Sequence, residues 1–241
     1  MGPFLDGGTA LVTGAGRGIG RAVARSLAAA GAHVVATARS VGQLDETVRE
    51  IVDTGGSAEA APVDITDDSA VEELFADVDR CKNPLSVLVN NAGVGIFGTV
   101  ADFSMDDYDR VLRTNLRATF QCCRLAMQRM IPNRAGYIIN ISSVTGFKGY
   151  PRQAAYTASK HGIMGLTKSL AVEAQPHEIR VSAVLPGGVD TELVGKARPD
   201  LDRSVLMQPE DIAHTVMFLL SLSPRAAVDR IYIRRRTSSP F

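Results

Sequence analysis

T-A-L-V-T-G-A-G-R-G-I-G, residues 9–20, is the stretch whose reading decides the fold. Its first five residues form an apolar run, long enough for a buried strand and too short for a helix. Residues 14–20 are a glycine-rich turn. Residues 21–30 then carry apolar side chains at helical spacing, and Gly31 closes the helix. A glycine pattern that follows a strand and opens a helix is the context in which such a pattern binds a dinucleotide. The glycines let the backbone turn tightly and approach a pyrophosphate, while the helix N-terminus offers free N–H groups and a positive dipole end. The candidate cofactor residues of this turn are Gly14, Gly16, Arg17, Gly18, Ile19 and Gly20.

Outward from there the same alternation repeats. Strands are expected at 32–38, 58–63, 85–89, 137–141, 179–185 and 229–233, and helices at 43–53, 67–80, 105–131, 153–174 and 209–220. Near-continuous apolar strands separated by helices predict an α/β, single-domain Rossmann fold: a doubly wound parallel sheet of about seven strands with helices on both faces. Residues 1–241 are read as one domain, with no linker or repeat. Residues 192–207, polar and holding Gly195 and Pro199, are expected to form a short mobile substrate loop or lid.

Composition narrows the function. The formal net charge is +0 and the pI about 6.9, so there is no electrostatic footprint for nucleic acid or an anionic membrane. The basic run at 234–236 is taken as a solvated terminal segment. Three cysteines, Cys81, Cys122 and Cys123, form no disulfide framework, no apolar run reaches membrane-span length, and no signal peptide opens the chain. The expected location is cytoplasmic. His33, His161, His177 and His214 show no metal spacing with each other or with a cysteine, so no metal is expected.

A second stretch carries the chemistry. After the strand at 137–141 come Ser143 and then Tyr156 and Lys160, four apart on one helical face. An ammonium beside a phenol favours the phenolate, which makes Tyr156 a usable general acid or base. Ser143 can bring a hydroxyl to the same point. Asn115 adjoins the buried stripe of the 105–131 helix, where an amide needs partners. The strand at 32–38 ends without the acidic residue that holds a ribose 2′-hydroxyl; Arg39 follows instead. Arg17 and Arg39 would bind a 2′-phosphate, so NADP(H) is expected over NAD(H).

Taken together, T-G-A-G-R-G-I-G, N-N-A-G at 90–93, Ser143 thirteen residues before Tyr156, Y-T-A-S-K and P-G-G-V-D-T at 186–191 resemble the short-chain dehydrogenase/reductase family. The look is closest to its 3-oxoacyl-[acyl-carrier-protein] reductase and carbonyl reductase branches. The resemblance implies a catalytic set of Asn115, Ser143, Tyr156 and Lys160, with Asn115 holding a relay water and Lys160 the nicotinamide ribose. It also implies that Asp64 and Ile65 meet the adenine, Asn91 the adenosine ribose, and Val189 and Thr191 the nicotinamide amide, with Ala92 and Gly93 also in the cofactor site. The expected activity is NADPH-dependent reduction of a ketone, a 3-oxoacyl thioester or related carbonyl, small or carrier-tethered, in a homo-oligomer (tetramer or dimer). An NADP(H) sensor without turnover and an alcohol or sugar dehydrogenase acting oxidatively are the alternatives. The ending V-D-R-I-Y-I-R-R-R-T-S-S-P-F departs from the family's glycine-rich close.

Overall fold

Strand β1 (Thr9–Thr13) is buried at all five positions, and its alternation sends Ala10 and Val12 to one face and Leu11 to the other. A computed structural model describes Leu5 and residues 7–197 and 201–239. Around β1 lie α1 (Gly18–Ala29), β2 (His33–Ala38), α2 (Val41–Asp53), β3 (Ser57–Pro62), α3 (Asp68–Val78) and β4 (Leu85–Asn90). The second half contains α4 (Met105–Leu112), α5 (Ala118–Asn133), β5 (Gly136–Ile141), α6 (Ala154–Ala174), β6 (Ile179–Pro186), α7 (Glu192–Ala197), α8 (Pro209–Ser221) and β7 (Arg230–Ile233). The seven strands are parallel, in the order β3-β2-β1-β4-β5-β6-β7. The expected doubly wound Rossmann sheet is therefore what forms.

Two apolar layers cover the sheet. Val23, Leu27, Leu44, Ile51, Val216 and Leu219 of α1, α2 and α8 pack on one face. Val71, Leu74, Phe75, Cys122, Met130 and Leu170 of α3, α5 and α6 pack on the other. Each such fully buried aliphatic side chain contributes about 1.5–3 kcal/mol. Local signals set the helix starts: Asp67 accepts from the amides of Ser69 and Ala70, Ser104 from that of Asp107, and Gln208 with Asp211 forms a capping box ahead of Pro209. Strand order reverses between β1 and β4, so the crevice outside their carboxyl ends is where such folds bind ligands.

Three expectations need correcting. The single helix expected over 105–131 is broken by a π turn, Arg113–Arg117. One extra residue in that turn swings Asn115 inward, where it is fully buried. Apolar periodicity cannot register one inserted residue. The 192–207 segment is not a loop throughout: it contains α7 and a 3₁₀ turn, Arg203–Val205, and Val189 bridges to Met207. Residues 198–200, including Pro199, lie outside the described residues. The basic run at 234–236 is not simply solvated, since Arg234 and Arg235 are half-buried and border the crevice. Among the described residues no helix is long and apolar enough to cross a membrane.

Candidate active site

A cleft of ≈ 930 Å³ opens at the carboxyl ends of the strands, lined by the glycine turn, the 91–94 segment, Ser143, Tyr156, Lys160 and the 186–194 segment. The glycine turn is compact because nothing larger fits. Gly14 has φ +66, and a Cβ there would come within 2.9 Å of the Ala92 backbone. A Cβ on Gly20 would collide with the Gly14 carbonyl. Arg17, at the N-cap of α1, makes no side-chain capping bond, so the first-turn amides of Gly18 and Ile19, residues that line the cleft, are left without a side-chain cap. That donor set suits a dinucleotide's pyrophosphate.

Asn91 braces this turn. Its side-chain amide donates to the carbonyls of Thr13 (3.0 Å) and Gly14 (3.2 Å), and Thr13 Oγ1 accepts from the Asn91 and Ala92 amides. The amide that the resemblance gave to a ribose is thus engaged in holding the glycine loop on β4. Asp64 accepts from the amide and hydroxyl of Thr66, and these bonds, with Arg39 and Arg113 nearby, hold its carboxyl below the usual range against the opposing effect of burial. Arg39 is exposed at the end of β2 beside the cleft. Arg17 instead pairs with Glu192 of α7, across the cleft. The sequence offered both arginines to one phosphate; in this structure Arg17 faces a carboxylate and Arg39 lies exposed beside the cleft.

Tyr156 and Lys160 lie on the inward face of α6, 8% and 4% exposed. Burial pushes the phenol up to about 12, and a hydrogen bond with Ser143 works against that. Phe97 packs edge-on at 5.9 Å. Lys160 Nζ sits over the Tyr156 ring, 5.7 Å from its centroid, and donates to the Ile141 carbonyl at 2.9 Å. Burial lowers the ammonium to about 8. The sequence argument that Lys160 lowers the Tyr156 pKa is therefore not what this geometry does: desolvation dominates, and Ser143 supplies the opposing contribution. Ser143 Oγ also accepts from the Thr145 amide. Ser142 Oγ donates to the Lys160 carbonyl, a purely structural bond.

Asn115 is fully satisfied. Its amide donates to the Val94 carbonyl and to Ser159 Oγ, each at 3.0 Å, and its Oδ1 accepts from the Val94 amide at 2.8 Å. The π turn, the 94 segment and α6 are tied together there. Val189 is buried, and Thr191 Oγ1 donates to its carbonyl. Gly93 and buried Ile65 also line the cleft.

Sequence reasoning missed a layer beneath the site. Asn90 Nδ2 donates to Asn140 Oδ1 and Asn140 Nδ2 donates to Thr167 Oγ1, each at 2.9 Å, all buried between β4, β5 and α6. A lone Asn inside I-I-N-I was the available signal, since an amide in an apolar strand demands buried partners.

The family model described as short chain dehydrogenase matches residues 8–202. A 3β-hydroxysteroid dehydrogenase of Mediterraneibacter gnavus is 42% identical over 83% of this chain and 72% of its own length. A 3-oxoacyl-[acyl-carrier-protein] reductase of Synechocystis is 38% identical over 92% of each chain. A metagenomic short-chain oxidoreductase solved in complex with NADP superposes with TM-score 0.85 at 38% identity, over 96% of this chain and 99% of that one. The chain belongs to the short-chain dehydrogenase family, and it is an oxidoreductase that uses a nicotinamide cofactor.

Proposed function

We propose that this short-chain dehydrogenase reduces a ketone to a secondary alcohol with NADPH, acting on a 3-oxoacyl thioester or a related carbonyl. The observation that carries the reading is the hydrogen-bonded pair of Ser143 and Tyr156 at the cleft, with the phenol held protonated at about 12. Reduction needs an acid that is still protonated at neutral pH. An alkoxide, comparable in basicity to hydroxide (water's pKa ≈ 15.7), takes a proton from such a phenol downhill. Ser143 donates to the substrate carbonyl and fixes its oxygen; Tyr156 delivers the proton to that oxygen. Lys160, largely protonated at neutral pH, lies behind the ring and offers its remaining N–H donors to a ribose. Asn115 holds the π turn against α6, so the two hydroxyls keep their spacing. The bound nicotinamide supplies the hydride.

NADP is favoured over NAD by exposed Arg39 at the end of β2, where an acidic residue would repel a 2′-phosphate, and by the NADP held in a structural relative. A homo-oligomer, dimer or tetramer, is supported by Phe120 of α5 and Val172 of α6, which are 55% and 71% exposed. The oxidative reading has one observation in its favour: the relative at 42% identity is named a dehydrogenase. It needs the phenolate, which burial disfavours. The test mixes NADPH or NADH with ketones, including acetoacetyl thioesters and 3-oxosteroids, and follows nicotinamide absorbance in both directions. NADPH-dependent reduction is expected, and Arg39→Asp should shift preference toward NADH. Tight cofactor binding with no turnover of any carbonyl would overturn the enzyme reading in favour of a sensor.

A further inference from the structure

The opposite end of the sheet carries a second constellation, unrelated to the cleft. His33 opens β2, Glu59 is the third residue of β3, and Cys81 lies in the connection between α3 and β4. Parallel register pairs His33 with Ser57 and Val35 with Glu59, so His33 and Glu59 share one face of the sheet. It is the face on which Val35 packs against α3, and Cys81 packs against the same layer. Forty-eight residues of chain separate the first and last of these donors, which explains why no sequence spacing reveals them.

One ligand atom from each of the three side chains lies within 4.8 Å of the other two. Nε2 to Oε1 is 3.8 Å and Sγ to Oε1 is 3.6 Å. A tetrahedral zinc ion, with bonds of about 2.0–2.3 Å to nitrogen, oxygen and sulfur, requires donor–donor edges of about 3.3–3.7 Å. The imidazole is also oriented for the task. Its Nδ1 lies 2.8 Å from Ser57 Oγ; an N–H there donates to that oxygen and leaves the Nε2 lone pair free toward Glu59. The three side chains border a recess of ≈ 710 Å³, so the site has an entry path. Arg80 and Lys82 border it too, but Arg80 is paired with Asp77.

We propose that His33 Nε2, Glu59 Oε1 and Cys81 Sγ form a zinc-binding site with a fourth position open to water. Thiolate, imidazole and carboxylate together match a borderline-soft divalent ion rather than magnesium or calcium. Binding forms a Zn–S bond and releases the thiol proton to solvent, with no change of oxidation state. The ion staples β2 and edge strand β3 to the segment that leads into β4. It does not touch the cleft, so the inference stands whether or not the carbonyl reading does.

The test uses the full chain without a histidine tag, stripped with chelator and titrated with zinc chloride by calorimetry, and with cobalt(II) by absorbance. The wild type should bind one zinc per chain, show a thiolate-to-cobalt charge-transfer band, and gain on the order of 5–10 °C in Tm at a hundredfold excess of zinc over Kd. Cys81→Ser should abolish the band and weaken binding more than about 100-fold, beyond what loss of an orienting partner does. Ser57→Ala, which removes only the orienting hydroxyl, should weaken it about 10-fold and keep the band. Should Cys81→Ser fail to fold, half-exposed Glu59→Gln decides the matter by the same affinity loss. Zinc binding that is absent below about 0.1 mM, or equal in wild type and Glu59→Gln, overturns the proposal.

Discussion

The two walls of the cleft are held together by different physics. The wall from β4, the π turn, β5 and α6 carries Asn115, Ser143, Tyr156 and Lys160, with buried hydrogen bonds from Asn115 through Ser159 to the Tyr156 carbonyl and from Lys160 to the Ile141 carbonyl, over the buried Asn90–Asn140–Thr167 chain. The wall from 187–197 and 201–207 has the Val189–Met207 bridge at its base, and its outer part is tied by ion pairs at the surface: Arg17 with Glu192, Lys196 with Glu192, and Arg203 with Asp190. Breaking a buried partner costs about 1–3 kcal/mol per orphaned group, whereas an exposed pair is worth about 0–1 kcal/mol. One wall is therefore fixed and the other adjustable, which suits constant chemistry on the first and substrate choice on the second.

The strongest break of that comparison is Tyr156→Phe. It removes the proposed proton from the fixed wall and keeps the ring against Phe97. Ketone reduction should fall about 10²–10⁴-fold in kcat/KM, while cofactor affinity by fluorescence titration stays within about twofold. Survival of activity would mean that the proton comes from elsewhere.

Next in size is Asn140→Leu. It removes the oxygen acceptor of Asn90 Nδ2, which keeps only Cys123 Sγ, and the donor to Thr167 Oγ1, which still donates to the Ile163 carbonyl, and should cost about 1–3 kcal/mol, or on the order of 5 °C in Tm. A loss no larger than that of a surface change would show that the buried network does not hold this wall.

A third prediction concerns pH. Lys160 titrates at about 8 when folded, against 10.5 for the free side chain. Between those values the unfolded chain holds the proton and the folded chain has released it, so this group adds stability as pH rises from about 8 towards 10.5. Tyr156, held at about 12 against 10.0, acts oppositely from about pH 10 upward, because there only the unfolded chain has ionised. In denaturant unfolding, the free-energy difference between wild type and Lys160→Met should grow by about 1 kcal/mol per pH unit between about pH 8 and 10. A difference independent of pH would remove the claim that burial discharges this lysine.

The smallest effect belongs to the adjustable wall. Glu192→Gln should change stability by less than about 1 kcal/mol, yet lower the NADPH KM severalfold by freeing Arg17 for a phosphate. An unchanged KM would mean that Arg39 alone serves the 2′-phosphate.

The chain by itself determined the architecture, because strand-length apolar runs and glycine punctuation are local properties. Residues 9–31 specify a strand, a tight turn and a helix without help from the rest, and Asp67, Ser104 and Gln208 mark helix starts within a few residues. It also put Ser143, Tyr156 and Lys160 in range of one another, since they sit on one strand end and the helix that follows. Tertiary packing decided the rest. It tilted Asn115 inward through a π turn, turned Arg17 to Glu192, engaged Asn91 with the glycine loop, and drew Arg234 and Arg235 to the cleft. It raised the Tyr156 phenol by desolvation, where the four-residue spacing had implied a lysine lowering it. It also gathered His33, Glu59 and Cys81 at the far end of the sheet. Hydrogen-bond partners, dielectric and ligand convergence depend on what lies nearby in space, and residues tens of positions apart reveal none of that until the sheet brings them together.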